Sequence, residues 1–243
     1  MVTPERAGMR QSAGFRGLVA SLPIVTGYLP VAFSFGLAAL QAGLPASTAM
    51  LISALVFAGG SQFVMVGLLS GGGGLLTVLP TVMLMNARHL LYGAPVAALL
   101  PTGQPRPPAP ALAFGLTDEV FATAISQLPQ VGPADRARWL IGLQLGAYAG
   151  WLAGTASGLA MGVQLVAQLP LLADMLAFVL PGLFLALMLG LGAGWLVPAS
   201  CAVVVTCLLL PRLPGAVVVP LAMLAGAAAG ACVQRKEGSG VVA

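Results

Sequence analysis

The sequence is built from apolar runs of about 20 residues, separated by short polar, glycine-rich or proline-rich connections. A run of that length is what an α-helix needs to cross the hydrocarbon core of a bilayer. Strands of a transmembrane barrel would instead alternate apolar and polar side chains. The pattern therefore predicts an all-α integral membrane protein, a bundle of eight transmembrane helices. The predicted spans are residues 17–40, 46–70, 75–100, 111–131, 139–161, 169–191, 194–211 and 214–233.

Charge composition supports the same class, since only 7% of the 243 residues are charged and the mean hydropathy is +1.01. A soluble domain carries about 25% charged residues, enough to coat a water-facing surface. The net charge of +4 comes from basic residues near helix ends. It therefore predicts orientation in a lipid bilayer and not nucleic-acid binding. The three cysteines stand singly in apolar runs, which favours membrane-buried thiols over disulfides or metal ligands.

The distribution of basic residues predicts that both chain ends lie in the cytoplasm. Residues 1–16 form a polar N-terminal segment, residues 17–233 the transmembrane domain and residues 234–243 a C-terminal tail. No small-residue cleavage site ends the first apolar run, so we expect a retained helix and not a signal peptide. The boundary between the sixth and seventh spans is weak, and seven spans is the alternative. Seven would place Arg235 and Lys236 outside, against the charge rule.

Four ionisable side chains fall inside predicted spans, where each costs roughly 2.5–3.5 kcal/mol on insertion scales. They are Arg88 in the third span, Asp118 and Glu119 in the fourth, and Asp174 near the start of the sixth. Adjacent helical residues point about 100° apart, so we expect Arg88 to pair with one of the two neighbouring carboxylates. The other would face a cavity. Two readings stay open: a structural ion pair between helices, or a set of groups lining a polar pathway.

Further polar residues surround the arginine in "MLMNARHLLYG" (83–93). Helical spacing places Arg88 and Tyr92 on one face, and Asn86 with His89 on a neighbouring one. Two roles fit His89, which is the only histidine. It carries a proton near neutral pH, or it stays neutral and bonds to a backbone carbonyl.

Three motifs that disfavour a regular helix lie inside predicted spans. Proline removes a backbone donor and kinks a helix, and irregular backbone at membrane depth is tolerated where it is buried in protein or lines a cavity. We predict a cavity whose freed N–H groups suit the carboxylate of an amino acid and whose freed carbonyls suit its ammonium group. Kinks that serve packing alone are the alternative. The motifs are "LPIVTGYLP" with Pro23, Gly27 and Pro30, "FAGGSQF" with Gly59, Gly60, Ser61 and Gln62, and "FVLPGLF" with Pro181 and Gly182.

Together these segments resemble the AzlC family, the large subunits of branched-chain amino-acid exporters. One departure concerns the sixth span, where Ala177 stands at a position that the family fills with aspartate and Asp174 lies a turn earlier. The resemblance therefore assigns no role to Asp174. The resemblance is carried, in order, by "LPIVTGYLPVAFSFG" (22–36), "ALVFAGGSQF" (54–63), "NARHLLYG" (86–93) and "GLTDEVFA" (115–122), and more weakly by "FVLPGLFLALMLG" (178–190).

The resemblance implies a multi-pass protein of the bacterial inner membrane that exports leucine, valine, isoleucine and methionine, driven by the proton motive force. It implies a small, separately encoded membrane partner of the AzlD type, no cofactor and no metal. We expect Arg88, Asp118 and Glu119 to serve proton coupling or a buried ion pair, with Glu119 preferred as the proton carrier. The residues expected to contact substrate are Gly27, Pro30, Gly59, Gly60, Ser61, Gln62, Asn86, His89 and Tyr92.

Three other classes of protein compete with a transporter. A passive channel or a non-transporting membrane scaffold would share the same spans, although a scaffold has no need of charged side chains at membrane depth. An intramembrane enzyme would need a nucleophile such as Ser61 with His89 as its base, but "GGSQ" is a poor nucleophile motif. The sequence holds no phosphate-binding loop, so an ATP-driven pump would need another subunit.

Overall fold

The structure is a computed structural model that describes residues 12–101, 108–169, 196–213 and 215–239, with the single positions 171, 175 and 185. Across these residues the chain forms helices and turns and no strand, which confirms the predicted all-α class. Three 3-10 turns, Ala87–Leu91, Leu128–Gln130 and Pro133–Asp135, lie between helices. The helices are α1 Ala13–Ala20, α2 Leu22–Gln41, α3 Ala46–Val56, α4 Gly59–Ser70, α5 Leu75–Asn86, α6 Gly93–Leu99, α7 Ala109–Phe114, α8 Asp118–Gln127, α9 Arg136–Gln168, α10 Leu196–Leu209 and α11 Gly215–Ser239.

The first predicted span is a nearly continuous helix, because α1 and α2 are joined through Ser21, which keeps helical backbone angles. Pro23 lies in the first turn of α2, where its missing N–H would have no helical partner anyway. The predicted interruption at Gly27 and Pro30 is wrong, since α2 continues through both. A single proline removes one backbone bond, and the Ser34 hydroxyl donates to the Pro30 carbonyl at 2.8 Å one turn later.

The next three predicted spans are each divided in the middle. Residues 46–70 form α3 and α4, residues 75–100 form α5 and α6 around a 3-10 turn, and residues 111–131 hold α7 and α8. Among the described helices, α2 is the one that is long and apolar enough to cross a bilayer by itself, with a mean hydropathy of 1.6. The breaks in the second and fourth predicted spans are buried, so helix ends with unpaired backbone groups lie in the interior of the protein there. The 3-10 turn that divides the third predicted span contains no buried residue.

The C-terminal predictions are met in part. The seventh and eighth predicted spans correspond to α10 and α11, and α11 continues past its predicted end at 233. Gly226 on α11 lets that helix approach α10, since a Cβ there would lie 2.9 Å from the Pro198 carbonyl oxygen. The sixth predicted span, with Asp174, Pro181 and Gly182, lies outside the described residues apart from isolated positions.

Close packing of α9 along α1 and α2 forms the centre of the fold. A Cβ at Gly142 would lie 2.0 Å from the Gly14 carbonyl oxygen, and one at Gly158 would lie 2.2 Å from that of Phe33. Only a hydrogen atom fits there, so the two backbones come into direct contact, as in other small-residue helix pairs of membrane proteins. The α9 glycines recur at every fourth residue, at positions 142, 146, 150, 154, 158 and 162.

The same contacts show that α9 runs parallel to α1 and α2, because early residues meet early residues and late meet late. Arg16 of α1 and Asp135, just before α9, form an ion pair of 3.3 Å at the shared starting end. A chain that joins two parallel helices must recross the layer between them an odd number of times. The second, third and fourth predicted spans, if each crosses once, agree with that odd number. The predicted orientation likewise requires Arg16, Arg136 and Arg138 on one side.

Candidate functional site

The break between α3 and α4 is made by Phe57 and Ala58. Phe57 has φ of 39°, in the left-handed region, and Ala58 is extended. The predicted motif is therefore shifted, since Gly59 to Gln62 form the first turn of α4 instead of an unwound segment. No side chain caps α4. The first amide groups of a helix have no partner within it, and these point into the break.

Aromatic side chains hold this break in place. A left-handed conformation costs a non-glycine residue roughly 1–2 kcal/mol, so Phe57 needs strong support from its surroundings. Its ring packs against Tyr148 at 5.0 Å between centroids, and its other ring neighbours are Tyr28, Phe114 and Trp151 at 6.1 to 6.4 Å. The Tyr148 hydroxyl also donates to the Ala54 carbonyl at 2.9 Å, which satisfies one of the carbonyls left open at the end of α3.

Two buried polar groups beside the break lack partners. Gln62 is 0% exposed, and neither its Oε1 nor its Nε2 has a hydrogen-bond partner. The Trp151 indole nitrogen likewise has no hydrogen-bond partner, on a side chain that is 3% exposed. Leaving a buried donor or acceptor unpaired costs about 1–3 kcal/mol. A bound polar ligand would supply the missing partners, so these groups identify a candidate ligand site.

The start of α4 touches Trp151 directly. A Cβ at Gly59 would lie 2.7 Å from Cη2 of the Trp151 ring, so glycine is needed for α4 to begin where it does. Gly60 is half-buried in the same turn. The Ser61 hydroxyl donates to the Ala58 carbonyl at 2.9 Å.

A second break, the 3-10 turn Ala87–Leu91, carries the arginine. The predicted arrangement of faces on a regular α-helix is wrong, because the backbone is tightened to three residues per turn. Arg88 and Tyr92 nevertheless meet at one carboxylate. Arg88 Nη2 lies 2.7 Å from Asp118 Oδ2, and the Tyr92 hydroxyl donates to Asp118 Oδ1. Of the two ion pairs that the sequence left open, the structure therefore contains Arg88–Asp118.

The third break separates α7 from α8 and positions the two carboxylates. Thr117 is the N-cap of α8, and its Oγ1 accepts from the Val120 amide at 3.4 Å. Asp118 and Glu119 follow in the first turn, where the helix dipole favours negative charge. Threonine followed by two acidic residues is a helix-start signal. The prediction of one continuous span over residues 111–131 is wrong at this point, because α8 begins at Asp118.

Glu119 is bound by Tyr28, which is not among the predicted site residues. Tyr28 Oη lies 2.6 Å from Glu119 Oε2 and 2.6 Å from Thr117 Oγ1. The ring is 6% exposed and packs edge-on against Trp151, with centroids 5.2 Å apart. A buried tyrosine needs a partner for its hydroxyl, which is the signal that Tyr28 offered. We call Tyr28, Arg88, Tyr92, Thr117, Asp118 and Glu119 the polar cluster.

Of the remaining predicted residues, only His89 is described in contact with a member of this cluster. Gly27 and Pro30 are on the exposed face of α2, whereas Tyr28 is on its buried face. Asn86 is half-buried at the end of α5. The His89 ring lies 5.5 Å from that of Tyr92, which itself stacks on Phe121 at 4.4 Å.

The two carboxylates have different surroundings. Asp118 is paired with a cation, so the Arg88–Asp118 unit carries no net charge. Within the described residues, the hydrogen-bond partner of the Glu119 carboxylate is the neutral Tyr28. Among the described residues, Asp118 is therefore part of an ion pair, whereas the Glu119 carboxylate is bound by a neutral hydroxyl.

Comparison with known proteins agrees with the sequence resemblance. The model of the family described as "AzlC protein" matches residues 23–165. Inner membrane protein YgaZ of Escherichia coli is 35% identical over 216 residues, which are 88% of this chain and 86% of YgaZ. An uncharacterized membrane protein of Archaeoglobus fulgidus is 42% identical over 144 residues, 59% of this chain and 60% of the relative. No solved structure matches the chain.

The fold and these relatives define a helical membrane protein. The chain belongs to the AzlC family.

Proposed function

We propose that this chain is the large subunit of a secondary transporter that exports branched-chain and related apolar amino acids across the bacterial inner membrane. It would do so as a multi-pass protein, driven by the proton motive force, with a small AzlD-type membrane subunit as its partner. The observation that carries the proposal is the unpaired amide of Gln62, which is fully buried at the uncapped start of α4.

The chemistry of this site matches the head group of an amino acid. The Gln62 amide offers a donor, Nε2, and an acceptor, Oε1, and a zwitterion needs one of each. Its carboxylate suits the free amide groups of Gly59, Gly60 and Ser61, because a helix N-terminus attracts negative charge. Its ammonium group suits Oε1 and the carbonyls that remain open at the end of α3. Half-helix ends of this kind bind substrates in other secondary transporters.

The surroundings of the site favour an apolar side chain on that amino acid. The buried neighbours at the start of α4 are Phe57 and Ala58, and the facing ring is Trp151. A charged or amide side chain would find few partners there, and burying an unpaired polar group is unfavourable. Leucine, valine, isoleucine and methionine carry no such group.

Glu119 is the proton carrier in this proposal. It lies at membrane depth in the predicted fourth span and is not neutralised by a cation among the described contacts. Taking up a proton removes the net negative charge of the polar cluster, which lowers the cost of holding it in the membrane. Proton binding from one side and release to the other would couple the gradient to transport.

The experiment is transport of labelled leucine, valine and methionine into liposomes that hold the full chain, with and without the small partner, across an imposed pH gradient. Accumulation that depends on the gradient and on the partner supports the proposal. Equilibration without accumulation would indicate a passive channel, and no movement by correctly folded protein would remove the substrate assignment. Labelled glutamate serves as the matched substrate control, since its charged side chain does not suit the site.

A further inference from the structure

We infer that Tyr28 is a positioning residue that couples the protonation of Glu119 to the start of α4. The inference rests on the proposed function and adds to it a residue that neither the sequence motifs nor the family match assigned. Three observations carry it: the position of the Tyr28 hydroxyl between two hydrogen-bond partners, the contact of its ring with Trp151, and the contact of Trp151 with Gly59.

The first step concerns one proton shared between two short contacts. Tyr28 Oη is 2.6 Å from both Glu119 Oε2 and Thr117 Oγ1, and a phenol donates only one hydrogen bond. When Glu119 is ionised it accepts only, so Tyr28 donates to Glu119 and accepts from the Thr117 hydroxyl. All three groups are then satisfied, and Thr117 Oγ1 still accepts the amide of Val120 as the cap of α8.

Protonation of Glu119 upsets this arrangement. If the carboxylic acid donates its new proton to Tyr28 Oη, the Tyr28 proton must turn towards Thr117, and the Thr117 hydroxyl proton loses its acceptor. Thr117 is 6% exposed, so a lost hydrogen bond is not replaced by water and costs free energy. If the acid does not donate, Tyr28 loses a charged acceptor. In either case the contact between α2 and α8 differs between the two protonation states.

The second step is mechanical. The Tyr28 ring is buried edge-on against Trp151, and the Trp151 ring fills the space in front of Gly59. Both rings are at most 6% exposed. Close-packed interiors transmit displacement because their side chains have no free volume to absorb it. A shift of Tyr28 therefore moves Trp151 against the first turn of α4, where Gln62 and the free amides lie.

Among the described residues, the polar groups near Glu119 come from α2, from the first turn of α8 and from the 3-10 turn Ala87–Leu91. Tyr28 approaches from α2, Thr117 and Asp118 belong to the same turn, and Arg88 and Tyr92 contact Asp118 from the 3-10 turn. Arg88 is committed to Asp118 at 2.7 Å. Tyr28 is thus the residue through which a change in the charge of Glu119 affects α2.

The test compares Tyr28→Phe with Tyr148→Phe in liposomes. Both changes remove one hydroxyl from the same aromatic cluster, but Tyr148 donates to the Ala54 carbonyl and not to a carboxylate. Two assays are used: exchange of labelled for unlabelled leucine at equal pH, and accumulation driven by a pH gradient. For Tyr28→Phe we expect exchange to persist and gradient-driven accumulation to fall by about tenfold, within the usual range of coupling between sites. Tyr148→Phe should keep the ratio of accumulation to exchange.

The outcomes separate this inference from the proposed function. If the unsubstituted protein shows no exchange at all, the proposed function fails. If it transports and Tyr28→Phe still accumulates leucine as the unsubstituted protein does, the role of Tyr28 is overturned. A second test places Tyr28→Phe in a Glu119→Gln background. The inference expects the double variant to match Glu119→Gln in both assays, because the signal from Glu119 is already absent, and additive losses would refute it.

Discussion

The Tyr28 hydroxyl lies 2.6 Å from the Glu119 carboxylate, although 91 positions separate the two residues. This contact joins the continuous first helix pair, α1 and α2, to the broken helices that carry the charged groups. The two neighbouring carboxylates therefore have different partners, because Asp118 is paired with Arg88. The polar cluster is therefore one stable ion pair beside one carboxylate with a neutral partner.

This asymmetry predicts different effects for two conservative substitutions. Glu119→Gln should abolish accumulation driven by a pH gradient and keep exchange at equal pH, because glutamine retains the shape but cannot carry a proton. Asp118→Asn should instead lower the yield of folded protein, because it leaves Arg88 as an unpaired charge at membrane depth. The measurement is leucine transport at several pH gradients, normalised to the amount of monodisperse protein. Full proton-coupled transport by Glu119→Gln would exclude Glu119 as the carrier.

Gln62→Leu should change stability and activity in opposite directions. Leucine removes a buried amide whose two polar atoms lack partners, so the free energy of unfolding should rise by about 1–3 kcal/mol. Exchange of labelled leucine should fall at the same time, because the head group of the substrate loses its donor and acceptor. Thermal unfolding in detergent and exchange in liposomes measure the two effects.

Gln144→Leu is the matched control for that substitution. Gln144 is also buried, but its Nε2 donates to the Leu112 carbonyl at 2.7 Å, near the end of α7. Its replacement should therefore lower stability, since it leaves a part-buried carbonyl unpaired. A Gln62→Leu variant that is destabilised like Gln144→Leu would mean that the Gln62 amide has a structural partner and not a ligand.

Gly59→Ala should impair transport because the added methyl group collides with Trp151 at 2.7 Å. The ring is buried and rigid, so either α4 or Trp151 must shift from the candidate site. Gly67→Ala is the control in the same helix, where a Cβ meets nothing within 4 Å. Combining Gly59→Ala with Trp151→Phe should restore part of the lost exchange, because the smaller ring leaves room for the methyl group. No difference between Gly59→Ala and Gly67→Ala would refute the contact.

Part of this site was predictable from the sequence, because placing a charged side chain in the membrane is costly in free energy. An arginine at membrane depth needs a carboxylate, so the pairing of Arg88 with Asp118 or Glu119 was predictable, although the choice between them was not. The start of α8 was also readable, since threonine followed by two acidic residues favours a helix N-terminus. The contact of Tyr28 with Glu119 was not, because it depends on how two distant helices pack.

The position of the second-span break shows a different limit. Helix propensity favours a break at Gly59 and Gly60, yet the left-handed residue is Phe57. Its backbone strain is offset by contacts with four rings from other parts of the chain, which local sequence rules do not include. The same holds for Gly27 and Pro30, which disfavour a helix locally but lie in one that is held along its length by α9.

The glycines of α9 make a last prediction about how that helix is held. Gly158→Ala should destabilise the protein by about 1–3 kcal/mol, the usual cost of inserting a methyl group into a closely packed site. Its Cβ would lie 2.2 Å from the Phe33 carbonyl oxygen, and backbone cannot move aside as a flexible side chain does. Gly27→Ala in the facing α2 is the control, since nothing lies within 4 Å of its Cβ. Thermal unfolding in detergent should show a lower midpoint for Gly158→Ala and an unchanged midpoint for Gly27→Ala. Equal midpoints would mean that α2 and α9 separate more easily than their backbone contacts imply.

Exchange activity should fall with Gly158→Ala as well, because Trp151 and Tyr28 stay in contact only while α9 lies against α2.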